Sequence, residues 1–378
     1  MRKYELLSCV WEITLACNLK CLHCGSSAGK KRDDELDLDK SLKLCVDLKK
    51  TGCKAVALMG GEPLLNPHFK DIAIKIRELG MELCVITNGT LYNDEIIEFL
   101  AKLKPRAVAT SIDGSTASTH DKIRGVNGAF KKTMNFMEKC LEKDIPLSVI
   151  TSVSKLNISE LSGIAQMIKG KKIAWQIQMV GAEGIRFDKR YLLDEDEFYS
   201  VGVFIEALRR RYSIYELAVI GAHDMGYNSC FIKNIWLYDK WQGCQAGISV
   251  VGIRSNGDVV GCLSINNDRF VEGNINERSI YDIWNDSNSF SYNRKFKKED
   301  AGPLCADCCY IAECGGGCSE VSLMKTGMIH NDPYCFYRYE KKHLSWFKRF
   351  LLSLYSRFWI KKDTHLLNRF FGGERNEA

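Results

Sequence analysis

The sequence predicts an α/β fold, a partial (β/α)6 TIM-like barrel followed by a small irregular cysteine-rich domain. Strand-like and helix-like segments alternate through the first half of the chain. Three cysteines at a CxxxCxxC spacing, Cys17, Cys21 and Cys24, directly follow the first strand-like segment. From Cys244 onward the alternation gives way to a second, denser field of cysteines.

The strands are expected at Cys9–Leu15, Lys54–Met59, Glu82–Thr87, Ala107–Ile112, Leu147–Val153 and Ile173–Met179. Between them, apolar residues recur at three and four positions in Lys40–Lys50, His68–Leu79, Asp94–Leu103, Phe130–Lys143 and Ser159–Lys169, the period of amphipathic helices. Asn93 and Ser159 are placed to cap helix N-termini, and Gly52 and Gly80 to stop helices. Six such units read as a parallel barrel whose active face lies at the C-terminal ends of its strands. The expected organisation is a barrel with trailing helices over 1–229, the cysteine-rich domain over 230–338 and a basic amphipathic tail over 339–378.

Three thiolates on one tight loop can hold three irons of a 4Fe–4S cluster and leave the fourth open to another ligand. Structural zinc wants four ligands, usually in CxxC pairs, and this spacing does not supply them. The segments that follow the later strands add to the pattern. They are Gly60-Gly61-Glu62-Pro63, then Thr87-Asn88-Gly89, then Ser111-Ile112-Asp113-Gly114 with His120-Asp121-Lys122-Ile123-Arg124. Glycines admit a close backbone approach, and a carboxylate can receive an ammonium. Each segment alone also reads as an ordinary turn. In order, at successive strand ends, the set resembles the radical S-adenosylmethionine (SAM) enzymes. That resemblance makes Cys17, Cys21 and Cys24 the catalytic cluster ligands. It implies SAM contacts at Gly60, Gly61, Glu62, Pro63, Asn88, Ser111, Asp113 and Arg124. Glu62 and the glycine backbone would take the amino group, Ser111 the ribose and Arg124 the carboxylate; Trp175–Met179 would line the adenine side.

In the second field, Cys244 is followed by Gly257 and Cys262, then by Cys305-x2-Cys308-x5-Cys314-x3-Cys318 and Cys335. This pattern resembles the SPASM domain, an extension of radical SAM enzymes that holds two auxiliary 4Fe–4S clusters. The resemblance assigns Cys305, Cys308, Cys314 and Cys335 to the outer cluster, and Cys244, Cys262 and Cys318 to the inner one. The fourth inner ligand is left as Cys230 or an open iron, the stretch Tyr238-Asp239-Lys240 having no cysteine. Zinc held by four of these cysteines is the competing reading. Cys45, Cys53, Cys84 and Cys140 lie among apolar residues and read as small core hydrophobes, with Cys309 a further buried thiol.

By the same resemblance the chain cleaves SAM reductively to a 5′-deoxyadenosyl radical, which takes a hydrogen from substrate. The expected substrate is a peptide or protein, modified by crosslinking, side-chain oxidation or epimerisation. The alternative is a small molecule in cofactor or haem-type biosynthesis. A non-catalytic electron carrier would need a fourth protein ligand at the first cluster. Leu263, where sulfatase-maturing relatives have an aspartate, argues against that activity. A one-electron donor of the flavodoxin or ferredoxin kind is implied. Cys17 lies so near the start that leader-peptide recognition is expected to need a separate protein or direct docking.

The 378 residues include 17 cysteines, whose metal-type spacing suits a reducing cytoplasm rather than a disulfide scaffold. No run of about 18 apolar residues predicts a membrane-spanning helix, and the start does not read as a signal peptide. Of the net charge of +6, a balance of +7 falls between Lys341 and Phe371, leaving −1 for the rest, so the body is not a nucleic-acid binder by charge. Aromatic and basic residues alternate in the tail, as in Trp346-Phe347-Lys348-Arg349-Phe350 and Tyr355–Ile360. This pattern suits a membrane surface or an acidic peptide, but the simpler expectation is a helix packed back on the barrel with a solvated basic face. Residues 372–378 are expected to be disordered.

Overall fold

The computed structural model describes residues 4–181, 184–236 and 242–357. The barrel half runs β1 (Ser8–Glu12), α1 (Leu38–Thr51), β2 (Ala55–Met59), α2 (Phe69–Glu78), β3 (Glu82–Ile86), α3 (Asp94–Leu103) and β4 (Ala107–Ser111). It continues through α4 (Ala117–Arg124), α5 (Ala129–Glu142), β5 (Leu147–Val153), α6 (Leu161–Ile168), β6 (Ala174–Met179), α7 (Glu195–Arg211) and β7 (Ala218–Gly221). The second half adds β8 (Val250–Ile253), β9 (Asp258–Val260), β10 (Val271–Asn274), α8 (Ile280–Asn285), α9 (Ser291–Arg294), α10 (Ile311–Cys314), α11 (Ser319–Thr326), α12 (Phe336–His343) and α13 (Trp346–Arg357).

All the strands join one sheet, in the order β10-β9-β8-β1-β2-β3-β4-β5-β6-β7. The six expected strands are present and parallel, and β7 continues them beyond β6. The cysteine-rich half is less separate than expected. Its strand β8 pairs in parallel with β1, Cys9 beside Val251 and Trp11 beside Ile253, and β9 and β10 extend that edge antiparallel.

Alternation within the strands sorts two rows. Val56, Leu58, Leu83, Val85, Val108, Val149, Trp175 and Ile177 are buried among the helices. The opposite row, Met59, Ile86, Ser111, Ile150, Gln176 and Gln178, is half-buried and faces the barrel interior. Cys84 belongs to that inner row and is half-buried, so it is not the core residue expected, whereas Cys45, Cys53 and Cys140 are buried in the core.

Local signals explain most helix ends. The Asn93 side chain accepts from Ile96 N at the start of α3, and Gly52 ends α1 with φ 108°. Ser159 does not cap α6. It sits inside the 3-10 turn Ile158–Glu160 that leads into that helix, one residue before the N-cap position, which Glu160 occupies. The tail also departs from expectation. Helix α13 turns Trp346, Phe347, Phe350 and Leu351 outward rather than packing them on the barrel. Tyr238-Asp239-Lys240, Phe358–Ile360 and 372–378, for which the sequence also carries expectations, lie outside the described residues.

Candidate active site and auxiliary cysteine sites

The Cys17–Cys24 loop leaves the C-terminal end of β1 and is stitched to three neighbours. Gly61 N donates to Thr14 O and Glu62 N to Ala16 O, so the segment after β2 lies flat against the approach to Cys17. A Cβ on Gly60 would lie 2.3 Å from Thr14 O, and one on Gly61 2.2 Å from Ala16 O. The glycine pair was expected to admit a ligand. Its Cβ positions face the chain itself, and the glycines are needed to let two backbone segments touch. From the other side, Lys20 N and Leu22 N donate to Arg124 O and Ile123 O at the end of α4. The loop after β6 covers the top, where Arg186 donates to Cys21 O and Ala28 O.

Each thiol meets a donor. Leu19 N lies 3.5 Å from Cys17 Sγ, Ala28 N 3.3 Å from Cys24 Sγ, and Arg124 Nη1 3.7 Å from Cys21 Sγ. Burial pushes the Cys17 thiol up to about 11, and burial likewise raises Cys21. Thiols raised this far would not ionise on their own, so donors aimed at their sulfurs fit thiolates held by a metal centre.

Beneath the loop lies a buried charged group. Arg124 Nη2 is 2.6 Å from Asp113 Oδ2, and His23 Nε2 lies 3.5 Å from the same oxygen. Burial works to raise Asp113, but Arg124, with His23 and His120, outweighs it and holds the carboxyl below its usual range. Burial drives both histidines down to about 4, so they are neutral. Arg124 Nε is buried without a hydrogen-bond partner and remains an available donor. Ser111 ends β4 on the inner row. Asn88 bonds Asn18, next to Cys17, and Pro63 opens the turn that Glu62 caps.

The second cysteine field forms two groups. Cys305, Cys308, Cys314 and Cys335 line one cavity of about 120 Å³. Burial raises Cys305 to about 11 and Cys335 to about 12, and each thiol feels others of the set. Four thiols around one cavity are the donor set of a closed cluster. Cys244 lies within electrostatic reach of both Cys262 and Cys318, which gathers the inner three. Cys230 is placed elsewhere. Its thiol and backbone N–H both donate to Glu340 Oε2, at 2.8 and 2.7 Å, which engages it away from the inner group. Cys309 is exposed rather than buried.

Residues 11–168 match the radical SAM superfamily model, and residues 244–309 match that of the SPASM iron–sulfur cluster-binding domain. The chain is a radical SAM protein with a SPASM domain. It is similar to the AdoMet-dependent heme synthase of Methanosarcina barkeri, 28% identical over 88% of this chain and 97% of that protein. It is also similar to the mycofactocin maturase MftC of Mycobacterium ulcerans, 27% identical over 87% of each. Streptococcus suis SuiB, solved with its precursor peptide SuiA, shares the fold with a TM-score of 0.70 over 88% of this chain and 75% of that one, at 19% identity. This radical SAM protein is therefore an enzyme, with SAM and iron–sulfur clusters as its cofactors.

Several residues around these cofactor sites carry no signal at the level of motif. Arg186 has no fixed spacing to the cysteines, and Asp332 and Tyr227 meet only through the fold. The run Gly315-Gly316-Gly317 was readable. All three have positive φ, and a Cβ on Gly316 would strike the His330 backbone at 2.5 Å.

Glu62 gives a pH test. It is fully buried, and burial lifts its carboxyl to about 7 against hydrogen bonds from Asn88 N, Thr87 Oγ1 and Leu64 N. A carboxyl raised in the folded state holds its proton more tightly there. Its stabilisation is complete below the unfolded value of 4.5 and is lost as pH rises through about 7. The unfolding free energy of wild type relative to Glu62→Gln is expected to fall by about 3 kcal/mol across that window. Denaturant titrations at each pH measure it, and a flat difference would mean the carboxylate stays ionised throughout.

Proposed function

We propose that this radical SAM/SPASM enzyme modifies a ribosomally made peptide by crosslinking, side-chain oxidation or epimerisation. When bound, the cluster and SAM supply a 5′-deoxyadenosyl radical that removes a hydrogen from the substrate. In this reading Cys17, Cys21 and Cys24 hold the cluster, and Glu62 with the Gly60–Gly61 backbone takes the amino group of SAM. Arg124 offers Nε to its carboxylate, Ser111 its hydroxyl to the ribose, and Asp113, Pro63 and Asn88 set the surrounding loops. Cys305, Cys308, Cys314 and Cys335 hold the outer auxiliary cluster, and Cys244, Cys262 and Cys318 the inner one. A flavodoxin- or ferredoxin-type donor supplies electrons, and a separate protein presents the leader peptide.

The observation that carries the peptide reading is the inner row of the barrel. Ser152, Gln176 and Gln178 present hydroxyl and amide groups there, Gln178 Nε2 donating to Ser152 Oγ at 3.0 Å. These groups pair readily with a peptide backbone. A porphyrin substrate carries several carboxylates, which call for arginine or lysine, and none stands on the inner row at β2–β6. The haem-type reading is kept because the Methanosarcina barkeri relative spans nearly the whole chain.

The deciding assay is anaerobic mass spectrometry in deuterated water, with SAM, a reductant and any short peptide encoded beside the gene, run in parallel with an iron coproporphyrin. Loss of two hydrogens or gain of one deuterium in the peptide is expected. Decarboxylation of the porphyrin with the peptide untouched would move the assignment to the haem-type reaction.

A further inference from the structure

The helix α13 points to a surface function separate from the catalytic sites. Trp346, Phe347, Phe350, Leu351 and Leu354 are exposed by 70, 60, 47, 47 and 38%. At 3.6 residues per turn they fall within roughly 140° of the helix circumference. Outside that arc Arg349, Leu352 and Ser353 are half-buried, while Lys348, just beyond its edge, is exposed. An amphipathic helix on a globular protein normally turns its apolar stripe inward; this one is inverted. Ser345 Oγ accepts from Lys348 N, which starts the helix, and the Trp346 and Phe350 rings stack 5.7 Å apart.

Charge selects the occupant. Lys341–Phe371 carries a balance of +7 while the rest of the chain carries −1. A second copy would bring a like charge against it. A peptide partner would want a groove, and the face of a single exposed helix is convex. An aromatic and aliphatic stripe flanked by lysine and arginine is the composition of a helix that lies in the plane of an anionic bilayer. We infer that α13 docks this enzyme on an anionic membrane surface, with the five apolar side chains entering the headgroup boundary and the basic residues meeting lipid phosphate. Among the described residues no helix is long and apolar enough to cross a membrane, so the contact is interfacial.

The test is co-sedimentation of the full, cluster-loaded chain with vesicles of equal parts phosphatidylglycerol and phosphatidylcholine, and with phosphatidylcholine alone. Binding to the anionic vesicles is expected to be at least ~10-fold tighter and to weaken with salt. The variant W346S/F350S/L351S should lose binding by a similar factor, with iron–sulfur absorption and SAM cleavage unchanged, since all three side chains are exposed. A chain that stays in the supernatant with anionic vesicles at low salt overturns the proposal. So does a variant that binds as tightly as wild type. Self-association abolished by the same variant, or capture of an acidic peptide, in either case without vesicle binding, would assign the face to another partner and also overturn it.

Discussion

Replacing Asp113 with alanine is expected to cost about 3–5 kcal/mol, because it strands a buried arginine. Asp113 is wholly buried; its Oδ1 accepts from Ser152 N at 3.0 Å and its Oδ2 faces Arg124 Nη2 at 2.6 Å. Neutral His23 and His120 beside it cannot take over the charge. Arg124 is 8% exposed, so water cannot take over either. The damage would not stay local, since the backbone of Ile123 and Arg124 receives Leu22 N and Lys20 N from the cysteine loop. Chemical denaturation should show the loss, and iron bound at the core cluster should fall with it. The double variant Asp113→Ala/Arg124→Met removes both charges and should regain most of the stability while losing SAM binding. If the single variant were as stable as wild type, the pair would not be the strut described here.

Much of this arrangement was legible in the chain itself. Six strands and their helices followed from periodicity, because each strand needs one buried row and each helix one apolar stripe. The nearness of Cys17, Cys21 and Cys24 followed from spacing, since residues on one short loop stay together in any fold. What escaped were features made by residues far apart. The pairing of β8 with β1 joins segments about 240 residues distant, and four-residue strands carry little period. Cys230 was a plausible inner ligand until the fold brought Glu340, on α12, to its thiol. The Gly60–Gly61 pair also has a packing role that its motif does not carry, because only the packed structure shows Thr14–Ala16 lying against it. Helix α13 was legible as amphipathic, yet hydrophobic periodicity does not say whether a stripe faces protein or solvent.

Asp332 should be the residue whose loss empties both auxiliary sites at once. It is 1% exposed and lies between the two cysteine groups. Its carboxyl accepts from Cys318 N at 3.0 Å, from Tyr334 N at 2.8 Å and from the Tyr227 hydroxyl. It also sits within electrostatic reach of Cys305, Cys314 and Cys335. Cys318 belongs to the inner group and Cys335 follows Asp332 by three residues, so one side chain fixes the backbone that carries a ligand of each. Burial lifts its carboxyl to about 7, against the hydrogen bonds it accepts from Tyr227, Tyr334 N and Cys318 N. Asp332→Ala would take the carboxyl away from the buried Tyr227 phenol and the buried Tyr334 N–H, leaving Cys318 N with the Tyr227 oxygen, a loss of roughly 2–4 kcal/mol. After anaerobic reconstitution, iron per chain should drop toward that of the core cluster alone, while SAM cleavage persists and peptide modification stops. Asp332→Asn keeps one acceptor oxygen and the same shape, and should retain at least the outer cluster. If Asp332→Ala bound a full complement of iron, the cysteines would be held by their own loops, and this carboxyl would be no more than a buried hydrogen-bond acceptor.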